Sequence, residues 1–253
     1  MQKRLKIILS MLIFFYILTI LLNYFGIFNE NISKVILRKF ENFSKDRYTL
    51  GFAHPNTAMS LLLPIFFLVY YLYYEKAKIL ISIFIFIIGK IIFNYTYSRT
   101  TFLLILLFIF LILVNDKYIE KLKGIFLLEG GIIIFFTFFL PYYFRATFLN
   151  KLFSGRLILF HHYLIKFQIT LFGSKSIIEY YETYPLDNVY LRTLFENGII
   201  GFILLIILIF YVMKILFENK DYKAVRIFSI VLIFGFMEGT ALNYYFNIMF
   251  LVK

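Results

Sequence analysis

Residues 197–217 read Asn197-Gly-Ile-Ile-Gly201-Phe-Ile-Leu-Leu-Ile-Ile-Leu-Ile-Phe-Tyr211-Val-Met-Lys214-Ile-Leu-Phe217, and no charged side chain interrupts them between Ile199 and Met213. A helix needs about 20 predominantly apolar residues to cross a hydrocarbon core of ~30 Å. This stretch therefore reads as a membrane span. Six others come close to the same length: 7–25, 57–74, 79–97, 101–114, 124–144 and 226–250. The expected fold class is all-α, a polytopic integral membrane helix bundle of about seven transmembrane helices forming one transmembrane domain over residues 1–253.

Composition points the same way. Of the 253 residues 62% are hydrophobic and only 16% are Asp, Glu, Lys or Arg, against about a quarter charged in soluble domains. Such a chain cannot hide its apolar surface inside one water-facing globule, which excludes a soluble enzyme and a disordered tail. Cys is absent, which excludes a disulfide scaffold and thiolate metal sites. The net charge of +12 would suggest nucleic acid in a soluble chain. Here lysines that anchor loops to anionic headgroups explain it, and no basic domain stands outside the spans to bind nucleic acid. Richness in Phe, Ile, Tyr, Asn and Lys fits the AT-rich genome of a low-GC bacterium.

The first span follows Lys3, Arg4 and Lys6, as a signal peptide would. It is too long for a signal h-region and lacks a small-x-small cleavage site, so it reads as a retained helix. With the N-terminus inside, the short inner segments collect Lys76, Lys78, Lys117, Lys121, Lys123, Lys214, Lys220, Lys223 and Arg226 besides the first three. This is the positive-inside pattern and gives an N-in/C-out arrangement. Two long outer loops remain, 27–56 and 145–196. Loops of that length in compact domains are usually functional or disordered, and these are rich in aromatic and clustered polar residues. Any chemistry is expected on the outer face.

Two charges stand where lipid should be. Lys90 and Glu238 each lie roughly 17 Å from the inner edge of their spans at ~1.5 Å per residue. A lone charge there costs at least about 2.5–3.5 kcal/mol and tends to find a partner, so the two are expected to pair. Glu129, nearer a span end, is expected to snorkel. The turn Ser98-Arg99-Thr100 precedes a stretch of only about 21 Å, and is expected to be recessed. Arg99 is then either an anion site or a side chain snorkelling to headgroups.

The first outer loop closes with Gly51-Phe-Ala-His54-Pro55-Asn56-Thr57. Gly51 permits unusual backbone angles and Pro55 drives His54 out of the helical region. His54 and Asn56 are either presented at the surface or used to cap the turn. The second loop carries Ser154-Gly155-Arg156 and then a stretch, 156–172, that fits an amphipathic interfacial helix. At 100° per residue Arg156, His162, Lys166 and Thr170 share one arc of about 120°. That arc reads either as a site or as a solvated basic face on anionic lipid. His161 falls off it, and with no His at i+3 or i+4 no metal site is expected. The loop ends in Pro185-Leu-Asp187-Asn188-Val-Tyr190-Leu-Arg192, Glu196-Asn-Gly198-Ile-Ile-Gly201. Asp187 is a candidate proton acceptor or a helix N-cap, and Gly198 opens a close helix contact. No GxSxG, Gly-rich phosphate loop or HExxH occurs. Arginines at positions 99, 156 and 192, together with His54 and Asp187, argue for an anionic, lipid-linked ligand such as a diphosphate.

In order and spacing, Gly51-Phe-Ala-His54-Pro55-Asn56, Ser98-Arg99-Thr100, Ser154-Gly155-Arg156, Asp187-Asn188-Val-Tyr190-Leu191 and Gly198-Ile-Ile-Gly201 resemble the Wzy-type polysaccharide polymerases of Gram-positive capsule and exopolysaccharide clusters, relatives of the O-antigen ligases. The resemblance covers roughly residues 48–201. It implies an inverting, metal-independent glycosyltransferase, without cofactor, joining polyprenyl-diphosphate-linked oligosaccharide repeat units on the outer face of a bacterial cytoplasmic membrane. It further implies that Arg156 and Arg99 hold the donor and acceptor diphosphates, and that Asp187 is the base or orients the acceptor. His54, Asn56, Asn188, His162 and Arg192 would line the substrate pocket. Chain-length regulator and flippase proteins would be its neighbours in the membrane. Asp187 stands where the related ligases carry histidine, which leaves direct proton abstraction open. The Gly-Phe-x-His-Pro-Asn stretch usually follows several helices, and here one precedes it. A short member, a chain lacking its N-terminal helices and an inactive remnant all fit that. A glycan ligase uses the same residues with another acceptor. A lipid-linked oligosaccharide flippase is the alternative of a different class, although no internal repeat supports it.

Overall fold

The computed structural model describes residues 2–27, 34–35, 47–153, 155–174, 177, 180 and 184–239. Most of the expected outer loop 27–56, Ser154 and the second half of the expected span 226–250 lie outside them. Among the described residues the chain is almost wholly helical. The helices are α1 (Gln2–Tyr24), α2 (Pro55–Ser60), α3 (Leu62–Thr96), α4 (Arg99–Leu113), α5 (Asp116–Lys121), α6 (Lys123–Phe144), α7 (Phe148–Leu152), α8 (Arg156–Lys166), α9 (Val189–Glu218) and α10 (Tyr222–Met237). Strands β1 (Lys34–Val35) and β2 (Arg47–Tyr48) form a two-residue antiparallel ladder, Lys34 opposite Tyr48.

Five helical segments are long and apolar enough to cross a membrane: Gln2–Tyr24, Pro55–Glu75, Ala77–Thr96, Lys123–Phe144 and Val189–Glu218. They match five of the seven stretches read from sequence. The stretch 101–114 forms α4, whose 15 residues cover about 22 Å and fall short of a span. The stretch 226–250 begins as α10, which stops at Met237; Glu238 follows in extended conformation (φ −142°, ψ 120°). Glu238 is thus a helix C-cap and not the middle of a continuous helix. Apolar side chains lie outside as well as inside: Phe14 and Phe15 on α1 and Leu204 and Ile207 on α9 are all about 60% exposed, as expected of helices facing hydrocarbon.

The sequence reads as one domain, and the structure divides into two compact units, one ending at Val114 and one beginning at Asn115. In the first unit α3 breaks at Ala77 (φ −157°, ψ 47°), separating its two candidate spans. Gly51 sits at φ +86°, where a Cβ would lie 2.8 Å from the Thr19 carbonyl of α1. The Tyr16 hydroxyl donates to the Ala58 carbonyl at 3.0 Å. Together these fasten α1 to the start of α2. Lys90 lies with Nζ 5.2 Å and 5.7 Å from the ring centroids of Phe93 and Phe102, within cation–π reach.

In the second unit α9 is interrupted at Gly198 (φ 70°, ψ −171°), a conformation essentially confined to glycine. A Cβ there would lie 2.2 Å from the Leu171 carbonyl oxygen, and a Cβ at Gly173 would lie 2.0 Å from the Glu196 oxygen. The chain at 170–174 crosses this break and takes up its freed backbone groups. Ile199 N–H donates to Thr170 O (3.0 Å), Ile200 N–H to Leu171 O (3.3 Å), and Ser174 N–H to Phe195 O (2.9 Å). A broken helix survives at such a place when neighbouring backbone satisfies it. The close contact expected at Gly198 is therefore with a loop and not with another helix. It also explains why α8 ends at Lys166 and does not reach 172: the carbonyls of Thr170 and Leu171 belong to α9.

Candidate functional site

The site is assembled on α8, α9 and α10 of the second unit. On α8 the buried side is Arg156, Leu157, Phe160 and Tyr163. At 100° per residue Arg156 falls about 40° from Phe160 and about 20° from Tyr163, inside the apolar face. Of the two readings of the basic arc, the solvated face does not hold at Arg156, whose side chain is 9% exposed. Beneath it Leu157, Phe160, Tyr163, Leu186, Leu191 and Phe195 form a buried apolar cluster.

The Arg156 guanidinium meets two carboxylates. Its Nε lies 3.2 Å from Asp187 Oδ2. Its Nη2 lies 3.2 Å from the same Asp187 oxygen and 2.9 Å from Glu238 Oε1. In place of the expected Lys90–Glu238 pair, each residue has a neighbour within its own unit: Glu238 takes Arg156, and Lys90 rests on Phe93 and Phe102. The physical reason is the end of α10 at Met237, which turns Glu238 back toward the Asp187 segment. Gly239 lets the two backbones touch, for a Cβ on it would meet the Leu186 carbonyl at 2.7 Å.

Asn188 holds this arrangement. It caps α9, its Oδ1 accepting from Leu191 N–H at 2.9 Å, and its Nδ2 donates to the Phe236 carbonyl at 3.0 Å. The N-cap is therefore Asn188 and not Asp187, which leaves the Asp187 carboxylate for Arg156. Asn188 is fully buried with both ends of its amide engaged, so it positions the site and does not line it. Tyr190 adds a second tie, its hydroxyl donating to Leu232 O at 2.7 Å.

The other candidates are spread more widely. Arg192 pairs with Glu196 one turn on, Nε to Oε1 2.7 Å. His162 Nε2 is 2.7 Å from the Tyr180 hydroxyl and its ring stacks on Tyr180. His54, Asn56 and Arg99 belong to the first unit. His54 caps α2, its Nδ1 accepting from Asn56 N–H at 3.1 Å. Asn56 Oδ1 accepts from Arg47 Nη2 at 2.7 Å, and Arg47 Nε also donates to Thr96 O at 2.7 Å. Arg99 is exposed and not sunk into the protein. The hydroxyls of Ser98 and Thr101 turn inward, 3.2 Å apart, so the residue after Ser98 faces out.

Three acidic partners were not legible as such in the sequence. Glu129 does not snorkel; its Oε2 accepts from Ser229 Oγ at 2.6 Å. Asp116 pairs with the fully buried Arg226 at 2.5 Å. Glu238 completes the Arg156 centre. Among the described residues no three His, Asp or Glu side chains converge as a metal site would require.

No family model, curated protein or solved structure matches the chain. The chemistry must be argued from the site. With all three groups ionised the Arg156 centre carries one surplus negative charge. Of its members Asp187 is the most exposed, at 36% against 13% for Glu238. A ligand from outside therefore meets the Asp187 carboxylate first.

Proposed function

We propose that the chain is a membrane-embedded, inverting glycosyltransferase of the Wzy type that joins polyprenyl-diphosphate-linked repeat units at the outer face of a bacterial cytoplasmic membrane. The observation that carries this reading is the Arg156–Asp187–Glu238 centre, in which Arg156 and Asp187 belong to the motifs whose order resembles that family and Glu238 lies beyond them. In this reading the N-terminus is cytoplasmic, and α4 and the stretch from 226 onward complete a seven-helix arrangement.

Arg156 fixes the orientation of the Asp187 carboxylate, which accepts the proton of an acceptor sugar hydroxyl. That oxygen forms the new bond to the anomeric carbon of the donor. The bond from that carbon to the diphosphate breaks, and the diphosphate leaves with the electron pair. Asp187 then returns its proton to water. Glu238 balances Arg156 while Asp187 is protonated.

The test is a gel of lipid-linked glycans from cells lacking the gene and complemented with wild-type or Asp187→Asn protein. The expected result is a ladder with wild type and single repeat units with Asp187→Asn at equal protein level. A full ladder from the variant removes Asp187 from the chemistry. Single units at the outer face with both proteins point to a ligase or an inactive chain, and units trapped inside point to a flippase.

A further inference from the structure

The side of α8 that faces away from the Arg156 centre is a second, separate feature. Arg145, at the C-cap of α6, joins His161, His162 and Lys166 around a groove of about 430 Å³, with Ile158 and Ile165 as its apolar wall. Those two isoleucines are 52% and 65% exposed. Apolar side chains beside cations on an uncovered helix face are the pattern of an interfacial helix seated in the headgroup layer. No Asp or Glu lines the groove among the described residues.

The polar groups are arranged rather than scattered. Arg145 Nη1 donates to His161 Nε2 and, at 3.3 Å, to the Tyr142 carbonyl. Partial burial, then the charge of Arg145, then His162 lower the His161 pKa from its ordinary value, and because a guanidinium can only donate, His161 Nε2 is the acceptor. Lys166 Nζ stands 3.8 Å above the centre of the Tyr180 ring, and Tyr180 also meets His162 at 2.7 Å. One short helix thus divides its cations. Arg156 is buried and answered by two carboxylates, while Lys166, with Arg145 beside it, is exposed, and the described lining residues include no acid.

We propose that this groove is a binding site for an acidic phospholipid of the surrounding bilayer. Arg145 and Lys166 take the phosphate, and the first methylenes lie along Ile158 and Ile165. Arg145 and Lys166 offer donors to the two free oxygens of one phosphodiester, and their two positive charges, with no carboxylate among the described lining residues, repel the amine of a zwitterionic headgroup. Selection of acidic over zwitterionic lipid follows from that charge pattern. The site does not depend on the glycosyltransferase reading.

Native mass spectrometry of the purified full chain, offered equimolar phosphatidylglycerol and phosphatidylcholine, tests it. Wild type is expected to retain phosphatidylglycerol. Arg145→Gln with Lys166→Gln should weaken retention about 25-fold, roughly fivefold per cation, with the melting temperature unchanged because both side chains are exposed. Lys214→Gln with Lys220→Gln removes the same charge elsewhere and should leave retention intact. Equal loss in both double variants would reduce the effect to net charge and overturn the site. So would equal retention of the two lipids by wild type, or undiminished binding by the first double variant. Displacement of phosphatidylglycerol by a polyprenyl diphosphate, abolished in that variant, would hand the groove to a substrate instead.

Discussion

Two arginines lie buried against α10, one near each end, and they are answered differently. Arg226, near its start, is fully buried and pairs with Asp116, with a further bond from Nη1 to the Tyr222 carbonyl at 3.0 Å. Arg156 meets the other end through Glu238 and holds Asp187 as well. The first centre is balanced in charge and ties α10 to α5. The second carries an acid in excess, which can take up a proton or a ligand's cationic or hydrogen-bonding group without leaving its arginine bare. A buried ion pair is weak evidence for net stability, yet losing one partner is costly. The same physics therefore predicts a clasp at one end of α10 and a site at the other.

The comparison can be broken most decisively at the Arg156 end. Asp187→Asn combined with Glu238→Gln removes both carboxylates that meet the buried Arg156 guanidinium and should cost about 3–5 kcal/mol, read as unfolding of the detergent-solubilised protein. Either single change leaves a balanced pair and should cost less than ~1 kcal/mol. A single change as damaging as the double would show that neither acid is in excess. At the other end Asp116→Ala takes the Asp116 carboxylate from the fully buried Arg226 and should cost roughly 3 kcal/mol. The reciprocal Arg226→Leu should cost clearly less, because Asp116 is 44% exposed and water can replace its partner. If the two substitutions cost the same, burial is not what separates the partners. The smallest effect concerns the pin between the elements of the site. Asn188→Ala removes the cap of α9 and its tie to Phe236, and should cost about 1–2 kcal/mol while Asp187 keeps its partner. Glycan ladders from this variant should persist at reduced length or yield, against their loss in Asp187→Asn.

Much of the fold was legible because hydropathy is a property of each residue in its own stretch. The stretches 57–74 and 79–97 locate the two halves of α3, and the charges Glu75, Lys76 and Lys78 between them mark the break found at Ala77. Gly51 was readable as a special backbone position, and it has φ +86°. Less legible was the reach of α8, since 167–172 keep an amphipathic pattern but lend their carbonyls to the break at Gly198. The arc through Arg156 stays open between a site and a solvated face for a related reason. A polar stripe and an apolar stripe overlapped at its position, and the wheel could not say which neighbour would arrive.

Sequence alone determined that these segments are helices long and apolar enough for a bilayer. It also put Arg156 and Asp187 on view as candidates. Tertiary structure decided which charge answers which. Glu238 stands 82 residues from Arg156 and Asp116 stands 110 from Arg226, separations over which no local pattern carries information. Lys90 and Glu238 looked equivalent in hydrocarbon because each was one charge in one span. What separated them was the end of α10 at Met237, where the chain turns and a carboxylate meets a guanidinium that burial had already stripped of water.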